Sequence, residues 1–418
     1  MKFKTKQNIK KKTKSVFRTV LKAIIIILVI ATVAGATAYV QKRIERKNEK
    51  RVLEEAGIVH QVKIDDEIFN ISVVGNQSAN HTFVTISDFG VQDFGVYAKQ
   101  LTSDVQNSSK TVILDRLGSG YSGDTHKDMT IEEIVDDYRM VLSKKQIQGP
   151  YILLAHNVGC GYATYWESTY PDEIEGVIFI DPVELKENMQ FDTEVKTKDY
   201  FYALLSTVGM DNVIYNKLYT SPSGELTGPV ASMCTYMNKH SAYTFGRLSE
   251  KSLLNDNMKK AYESIKTNDI PKMYICASYT FELESEVKDY LTFTNKKLSE
   301  LGQNIECDPS SKSFEQYWKN KASESSEHLN NETKSFMDKL GNCYLVKFPG
   351  NKAIYEQYTE DVKSAVTGFI RFLDGDAPTI YERYFDPTQE RWERYAATID
   401  WEAIKKAETN DVSLPDPE

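Results

Sequence analysis

Histidine and cysteine are scarce in this chain of 418 residues, and their scarcity argues against several kinds of functional site. There are six histidines, and none of them follows His328 in the sequence. The five cysteines form no C-x-x-C pair, and their odd number does not fit a complete set of disulfides. Gly118–Gly123 is glycine-rich but lacks the lysine of a phosphate-binding P-loop. We therefore expect no metal site, no nucleotide site and no cofactor.

Acidic residues are absent from the beginning of the chain, where residues 1–22 carry nine Lys and Arg side chains. The whole chain nevertheless has a formal net charge of −9, so the remainder is strongly acidic. Because an acidic body repels a phosphate backbone, this charge distribution argues against a nucleic-acid partner.

Residues 23–40 contain no charged side chain and predict a single transmembrane helix, which would contact the lipid bilayer. As a helix these 18 residues span about 27 Å, enough for a thin bilayer. The preceding basic residues place the N-terminus in the cytoplasm, so the C-terminal domain of this cell-membrane protein lies outside. A cleaved signal peptide is the alternative, because Ala36-Thr37-Ala38 fits the cleavage motif. A buried helix of a soluble protein is another.

Short apolar runs alternate with helical patterns in the body of the chain. This alternation predicts an α/β fold with a mostly parallel central sheet and helices on both faces. Thr130 and Glu133 form a capping box, which predicts the start of one of these helices. The predicted strands lie in a hairpin within residues 59–74 and at 82–87, 111–114, 151–154, 177–180, 271–277 and 342–348.

Residues 185–268 interrupt the alternation, because they show helical patterns but no strand pattern. A long insertion between two strands is typical of a functional lid, and we expect a helical lid here. The chain then divides into a basic cytoplasmic tail (1–22), a transmembrane helix (23–40), a charged stalk (41–56), a first core part (57–184), the lid (185–268), a second core part (269–373) and an acidic C-terminal extension (374–418).

The stretch Tyr151–Pro182 combines a buried strand, a sharp turn, a helix and a second buried strand. Its turn has the frame of G-x-S-x-G, the nucleophile elbow, but Asn157 takes the position of the serine. It is accompanied by VTISDFG at 84–90, DRLGSGYSG at 115–123, YPDEIEGVIFIDP at 170–182 and a closing strand–loop–helix. With these motifs the chain resembles membrane-anchored α/β-hydrolases of bacteria from about residue 57 to residue 373. The resemblance implies the α/β-hydrolase fold.

The resemblance also assigns positions to the three groups of a catalytic triad. The nucleophile position is Asn157, whose carboxamide has no ionisable proton to give up. The histidine position, in the loop after the last strand, is Lys352. The acid position is Glu282, with Glu284 as a second candidate. Substitution of two triad positions indicates lost rather than altered chemistry. Asn157 is then either an amide that contacts a ligand or a residue that merely tolerates the strained turn.

An oxyanion hole is a backbone device, and the resemblance assigns its donors to the N–H groups of Val158 and Phe89. Asp88 precedes the second donor, and its carboxylate would repel a developing oxyanion if it pointed inward. We expect Asp88, His156 and Ser119 to line the pocket, with His156 supporting the turn.

Three functions follow from these residues. The favoured one is a catalytically silent hydrolase fold that binds a small apolar ligand or a protein partner outside the membrane. The alternative is an active esterase-like or lipase-like hydrolase of small esters or lipids with an atypical site. The third is an interaction protein that uses the lid or residues 374–418 as its binding surface.

Overall fold

The structure, a computed structural model, describes residues 2–55, 59–89, 94–183, 185–207, 241–277, 284–300, 304–317, 327–348 and 354–377. Eight strands form one sheet in the spatial order β1-β2-β4-β3-β5-β6-β7-β8. The strands are β1 (Gln61–Ile64), β2 (Glu67–Gly75), β3 (His81–Ile86), β4 (Ser109–Leu114), β5 (Tyr151–His156), β6 (Ile174–Ile180), β7 (Lys272–Ala277) and β8 (Cys343–Phe348).

The sheet is mostly parallel, as the alternation of apolar runs predicts. The predicted hairpin is β1 and β2, and β2 also pairs antiparallel with β4. All neighbours from β4 to β8 in the spatial order are parallel. Parallel strands end at the same edge of a sheet, so the loops after β3, β4, β5 and β6 meet at one edge, where the candidate site lies.

Helices cover both faces of the sheet. One hydrophobic core lies beneath α3, α4, α6 and α8, and the other lies beneath α2, α9 and α10. The side chains of β5 alternate between the two cores, since Leu153 belongs to the first and Leu154 to the second. The helices are α1 (Lys2–Glu55), α2 (Phe94–Leu101), α3 (Ile131–Lys144), α4 (Gly159–Thr169), α5 (Thr197–Thr207), α6 (Phe245–Ser264), α7 (Glu284–Glu300), α8 (Glu327–Leu340), α9 (Ile354–Gln357) and α10 (Thr359–Leu373).

The N-terminus of α3 contains one half of the predicted capping box. The side chain of Thr130 accepts a hydrogen bond from the backbone N–H of Glu133. The N–H of Thr130 donates instead to the backbone oxygen of Asp128, at 2.8 Å. The reciprocal bond, from the N–H of Thr130 to the carboxylate of Glu133, is therefore replaced by a local turn.

The described part of residues 185–268 contains α5 and α6 and no strand. Helix α6 packs closely on α4, because a Cβ added at Gly161 would lie 2.5 Å from the sulfur of Met258. Glycine at this position thus permits the close approach of the two helices.

Helix α1 is a continuous helix of 54 residues. Its segment Arg18–Gln41 contains 24 residues, and an 18-residue window within it has a mean hydropathy of 2.5, so the segment is long and apolar enough to cross a membrane. The large apolar side chains of this segment are exposed, and Ile27 is 64% exposed.

His81 connects the first residue of β3 to two other elements. Its Nδ1 lies 3.0 Å from the carboxylate of Glu175 on β6, and its Nε2 lies 2.9 Å from Asp374 after α10. The hydrogen bond with Glu175, supported by Asp374 and opposed by burial, raises the pKa of His81 to about 9. At neutral pH this buried ring is therefore an imidazolium.

We predict that His81→Gln removes a pH-dependent part of the stability. Because the folded state raises the pKa of His81 from 6.5 to about 9, its contribution is complete below pH 6.5 and is lost as the pH rises through 9. Urea unfolding at about pH 6 should show a clear loss of stability in the variant, and at about pH 10 the loss should be much smaller. His60→Gln, at an exposed histidine, is the control. A loss of equal size at both pH values would contradict this prediction.

Candidate functional site

The turn between β5 and α4 has the backbone conformation of a nucleophile elbow. Asn157 has a φ of 47°, in the left-handed region that asparagine enters more readily than most residues. Its N–H donates to the backbone oxygen of Ile180 at 3.1 Å, so the turn is fixed to the end of β6. A Cβ at Gly159 would lie 2.3 Å from the backbone oxygen of Ile86, so glycine is required where α4 begins beside β3.

The carboxylate of Asp88 lies on the backbone donors of this turn. Its Oδ1 accepts hydrogen bonds from the N–H of Val158 at 3.2 Å and from the N–H of Phe89 at 2.7 Å. Its Oδ2 accepts from the side-chain amide of Asn157 at 3.3 Å. Val158 and Phe89 are the residues to which the family resemblance assigns the oxyanion-hole donors. These donors therefore already hold an anion, which belongs to the chain itself.

Arg116 fixes the backbone that carries Asp88. Its guanidinium donates to the backbone oxygens of Ser87 at 2.7 Å and Asp88 at 3.0 Å. The same group is buried and lies 3.1 Å from the carboxylate of the buried Glu250 on α6. The hydroxyl of Tyr162 on α4 donates to that carboxylate at 2.8 Å. One buried ion pair thus joins helix α6 to the loop that holds Asp88.

The preceding residue, Asp115, shapes the loop after β4. Its Oδ2 accepts hydrogen bonds from the N–H of Tyr121 and from the side-chain amide of Asn70, each at 2.9 Å. Burial raises the pKa of Asp115 to about 6, and the two hydrogen bonds and Arg116 oppose that rise. The Asp-Arg pair of the DRLGSGYSG motif therefore organises two loops at the edge of the sheet. The sequence contains this motif, but it does not show which groups the pair contacts.

Two of the three triad positions, Glu282 and Lys352, lie outside the described residues. The described chain resumes after the final loop at Ile354, whose N–H donates to Oδ2 of Asp181 at 2.9 Å. Asp181 is buried at the end of β6 and has a φ of 44°. A carboxylate of the IDP motif therefore holds the start of α9, a contact that the sequence analysis missed.

His156, Ser119 and Cys160 are all buried near the turn. The ring of His156 stacks on Phe94 of α2 at a centroid distance of 5.0 Å and packs edge-on against Tyr355 of α9 at 4.8 Å. It is thus part of the packing of two helices against the end of β5. Burial raises the pKa of the Cys160 thiol, which excludes a reactive thiolate at that position.

A cavity of about 520 Å³ lies at the loop after β4. Its walls come from the loop after β4, from the C-terminal end of α5 and from the start of α6. The residues predicted to line the pocket, Asp88, His156 and Ser119, are not among its described lining residues, and neither is Asn157. Over the described ranges, no group of three or more His, Cys, Asp or Glu side chains could hold a metal ion.

A family model described as alpha/beta hydrolase fold matches residues 93–290, from α2 to the first part of α7. The strand order and the elbow between β5 and α4 agree with this match. The chain therefore has the α/β-hydrolase fold.

Two relatives illustrate the range of sequence similarity. The uncharacterized protein YbdG of Bacillus subtilis (strain 168) is 30% identical over 149 residues, which are 36% of this chain and 45% of YbdG. The uncharacterized protein C23C11.06c of Schizosaccharomyces pombe is 25% identical over 103 residues, which are 24% of this chain and 19% of that protein. This chain therefore covers less than half the length of either relative.

Solved structures with a similar fold include the haloalkane dehalogenase DbeA from Bradyrhizobium elkani USDA94. It is 13% identical, with a TM-score of 0.45, over 76% of this chain and 99% of DbeA. Cfl2 from Burkholderia cenocepacia is 10% identical, with a TM-score of 0.46, over 75% of this chain and 95% of Cfl2. At these identities the similarity carries no argument about activity.

We predict that Asp88→Ala destabilises the protein by about 1–3 kcal/mol, because it leaves the N–H groups of Val158 and Phe89 without their acceptor. Asp88→Asn keeps an acceptor oxygen and should cost less. The free energy of unfolding can be measured by urea titration of the full chain in mild detergent. Asp66→Ala, at a fully exposed aspartate, is the matched control and should change it by about 0.5 kcal/mol or less. Equal stability of the Asp88→Ala and Asp66→Ala variants would contradict this prediction.

Proposed function

We propose that this protein is a catalytically silent α/β-hydrolase-fold protein that is anchored in the membrane and acts by binding a ligand or a partner. The observation that carries the proposal is the position of Asp88, whose carboxylate accepts hydrogen bonds from the N–H groups of Val158 and Phe89. An oxyanion hole accelerates acyl transfer only if its donors are available to the charge that develops on the substrate. Here the carboxylate of Asp88 already accepts hydrogen bonds from those donors. Its negative charge would also repel an oxyanion that developed at the same place.

The residues around Asp88 support the same conclusion. Asn157 supplies an amide instead of a hydroxyl nucleophile, and that amide already donates to Asp88. The sequence provides no histidine after His328, so no imidazole is available in the loop after β8. Cys160 is a buried thiol with a raised pKa. Loss of the nucleophile or of the histidine alone would lower acyl transfer by orders of magnitude.

The membrane anchor in this proposal is the apolar segment of α1. The segment Arg18–Gln41 is apolar and exposed, and nine Lys and Arg residues lie within residues 1–22. The positive-inside rule then places the N-terminus in the cytoplasm and the body outside. The stalk, as the continuation of α1 to Glu55, would hold the body away from the bilayer.

We predict that the full-length protein, in mild detergent, forms no adduct with a fluorophosphonate probe. The probe reacts with a serine that a base has activated, and intact mass spectrometry counts the adducts. A serine esterase treated in parallel shows that the probe is active. A stoichiometric adduct would overturn the proposal, and peptide mapping would then identify the nucleophile.

The variant Asn157→Ser sharpens this test, because it restores a hydroxyl at the elbow while Asp88 remains in place. We expect this variant also to remain unlabelled, since no base is supplied and the oxyanion donors stay occupied. Labelling at position 157 would show that a base is present and that Asp88 leaves the donors.

We predict that carbonate extraction leaves the full-length protein in the membrane fraction, because a spanning helix is inserted rather than adsorbed. An N-terminal tag should remain on the chain and should resist protease added outside intact cells, whereas the body should be digested. Loss of the tag from the mature chain would indicate a cleaved signal peptide instead. Release of the full-length chain by carbonate would contradict the anchor.

A further inference from the structure

The cavity of about 520 Å³ lies within the size range of sites for small molecules, and it is separate from the elbow. One wall is the loop Gly118–His126, and another is built from the C-terminal end of α5 and the start of α6. The proposed binding function leaves the ligand and its site open, so the chemistry of these walls is informative.

Several aromatic rings line the cavity. They are Tyr121, Tyr243 and Phe245, and the ring of His126, which also lines the cavity, packs on Phe245 at a centroid distance of 4.5 Å. Half of the other described lining residues are serine or threonine, which carry hydroxyl groups. Leu204 is the one large aliphatic side chain among the lining residues that the structure describes. A wall of this composition does not match a long acyl chain, which would need a continuous aliphatic surface.

The acidic side chain in the described wall already accepts hydrogen bonds from the protein. Asp124 accepts hydrogen bonds from the N–H groups of Phe245 at 3.1 Å and Gly246 at 3.0 Å, so its carboxylate caps the N-terminus of α6. No lysine or arginine occurs among the described lining residues. A phosphate, sulfate or carboxylate ligand would therefore find no cation to pair with in this part of the wall.

The wall is also held in place before any ligand arrives. Thr244 donates its hydroxyl to the backbone oxygen of Gly118 at 2.7 Å, and the side-chain amide of Gln61 donates to the backbone oxygen of Tyr121. Gly118 has a φ of 77°, and a Cβ there would lie 2.8 Å from the backbone nitrogen of Arg247. These contacts fix the loop against the start of α6, and a fixed wall lowers the cost of binding.

We propose that this cavity binds a neutral, hydroxyl-rich ligand of roughly disaccharide size, a class that differs from the apolar ligand expected from the sequence. The C–H faces of a sugar ring pack on aromatic rings, and its hydroxyls exchange hydrogen bonds with side-chain hydroxyls of the wall. The inference rests on the proposed binding function and names its ligand class and its site. It needs no group at the elbow.

The test is saturation-transfer NMR on the full-length protein in lipid nanodiscs, which avoids detergents that carry sugar headgroups. The probes are cellobiose, maltose and N,N′-diacetylchitobiose as neutral disaccharides, glucose 6-phosphate as an anionic sugar and 1-decanol as an apolar ligand. We expect binding of at least one neutral disaccharide and weaker or absent binding of the other two probes.

Variants then locate the site. Tyr243→Ala should weaken disaccharide binding about tenfold, because it removes one aromatic wall, and Tyr243→Phe should retain most of the affinity. Thr207→Trp places a large ring at an exposed position of the wall and should abolish binding. Tyr200→Ala on α5 is the matched control, because Tyr200 is 48% exposed and lies outside the described lining.

The inference is overturned if none of the three disaccharides binds, if glucose 6-phosphate or 1-decanol binds more tightly, or if Tyr243→Ala and Thr207→Trp leave the affinity unchanged. Absence of sugar binding together with absence of a fluorophosphonate adduct overturns this inference and leaves the silent hydrolase fold in place. A fluorophosphonate adduct overturns the proposed function whatever the sugars do.

Discussion

The buried ion pair between Arg116 and Glu250 connects the loops after β3 and β4 to helix α6. It joins the loop after β4 to helix α6, and the same guanidinium holds the backbone of Ser87 and Asp88. Removing two charges from water is costly, so such a pair is stable only when further hydrogen bonds complete it. The Tyr162 hydroxyl and the two backbone oxygens supply those bonds. The positions of helix α6 and of Asp88 therefore depend on one another.

Because Asp88 is held in this way, the elbow between β5 and α4 has a structural role. The strained turn at Asn157 and its backbone donors belong to the α/β-hydrolase fold, and in an active member they would serve a reaction. Here the donors of Val158 and Phe89 bind Asp88, and the Asn157 amide adds a third hydrogen bond. Groups that would stabilise a transition state then stabilise the folded state. The turn therefore has a structural role in this chain, because its donors hold the carboxylate of Asp88.

The cavity at the loop after β4 is built without the residues of the elbow. Its walls are fixed by hydrogen bonds that involve neither Asn157 nor Asp88, such as the bond from Thr244 to Gly118. Its chemistry is therefore independent of the substituted triad. The same loop contains Asp115, whose hydrogen bonds from Asn70 and Tyr121 tie the cavity wall to β2. Because the wall is anchored to the sheet on one side and to α6 on the other, its shape is set by the fold.

Much of the fold could be predicted from residues that are close in sequence. The apolar runs determined the strands, Thr130 marked the start of α3, and the turn at Asn157 was evident from its motif. The sequence alone shows that the loop after β8 contains no histidine, because none follows His328. The sequence could not place β4 between β2 and β3, nor pair Arg116 with Glu250, which lies 134 positions away. Nor could it tell that Asp88 turns onto the N–H of Val158, 70 positions on, because side-chain direction at a sheet edge depends on which loops pack there. Local patterns determine elements, whereas only tertiary packing decides which buried polar groups become partners.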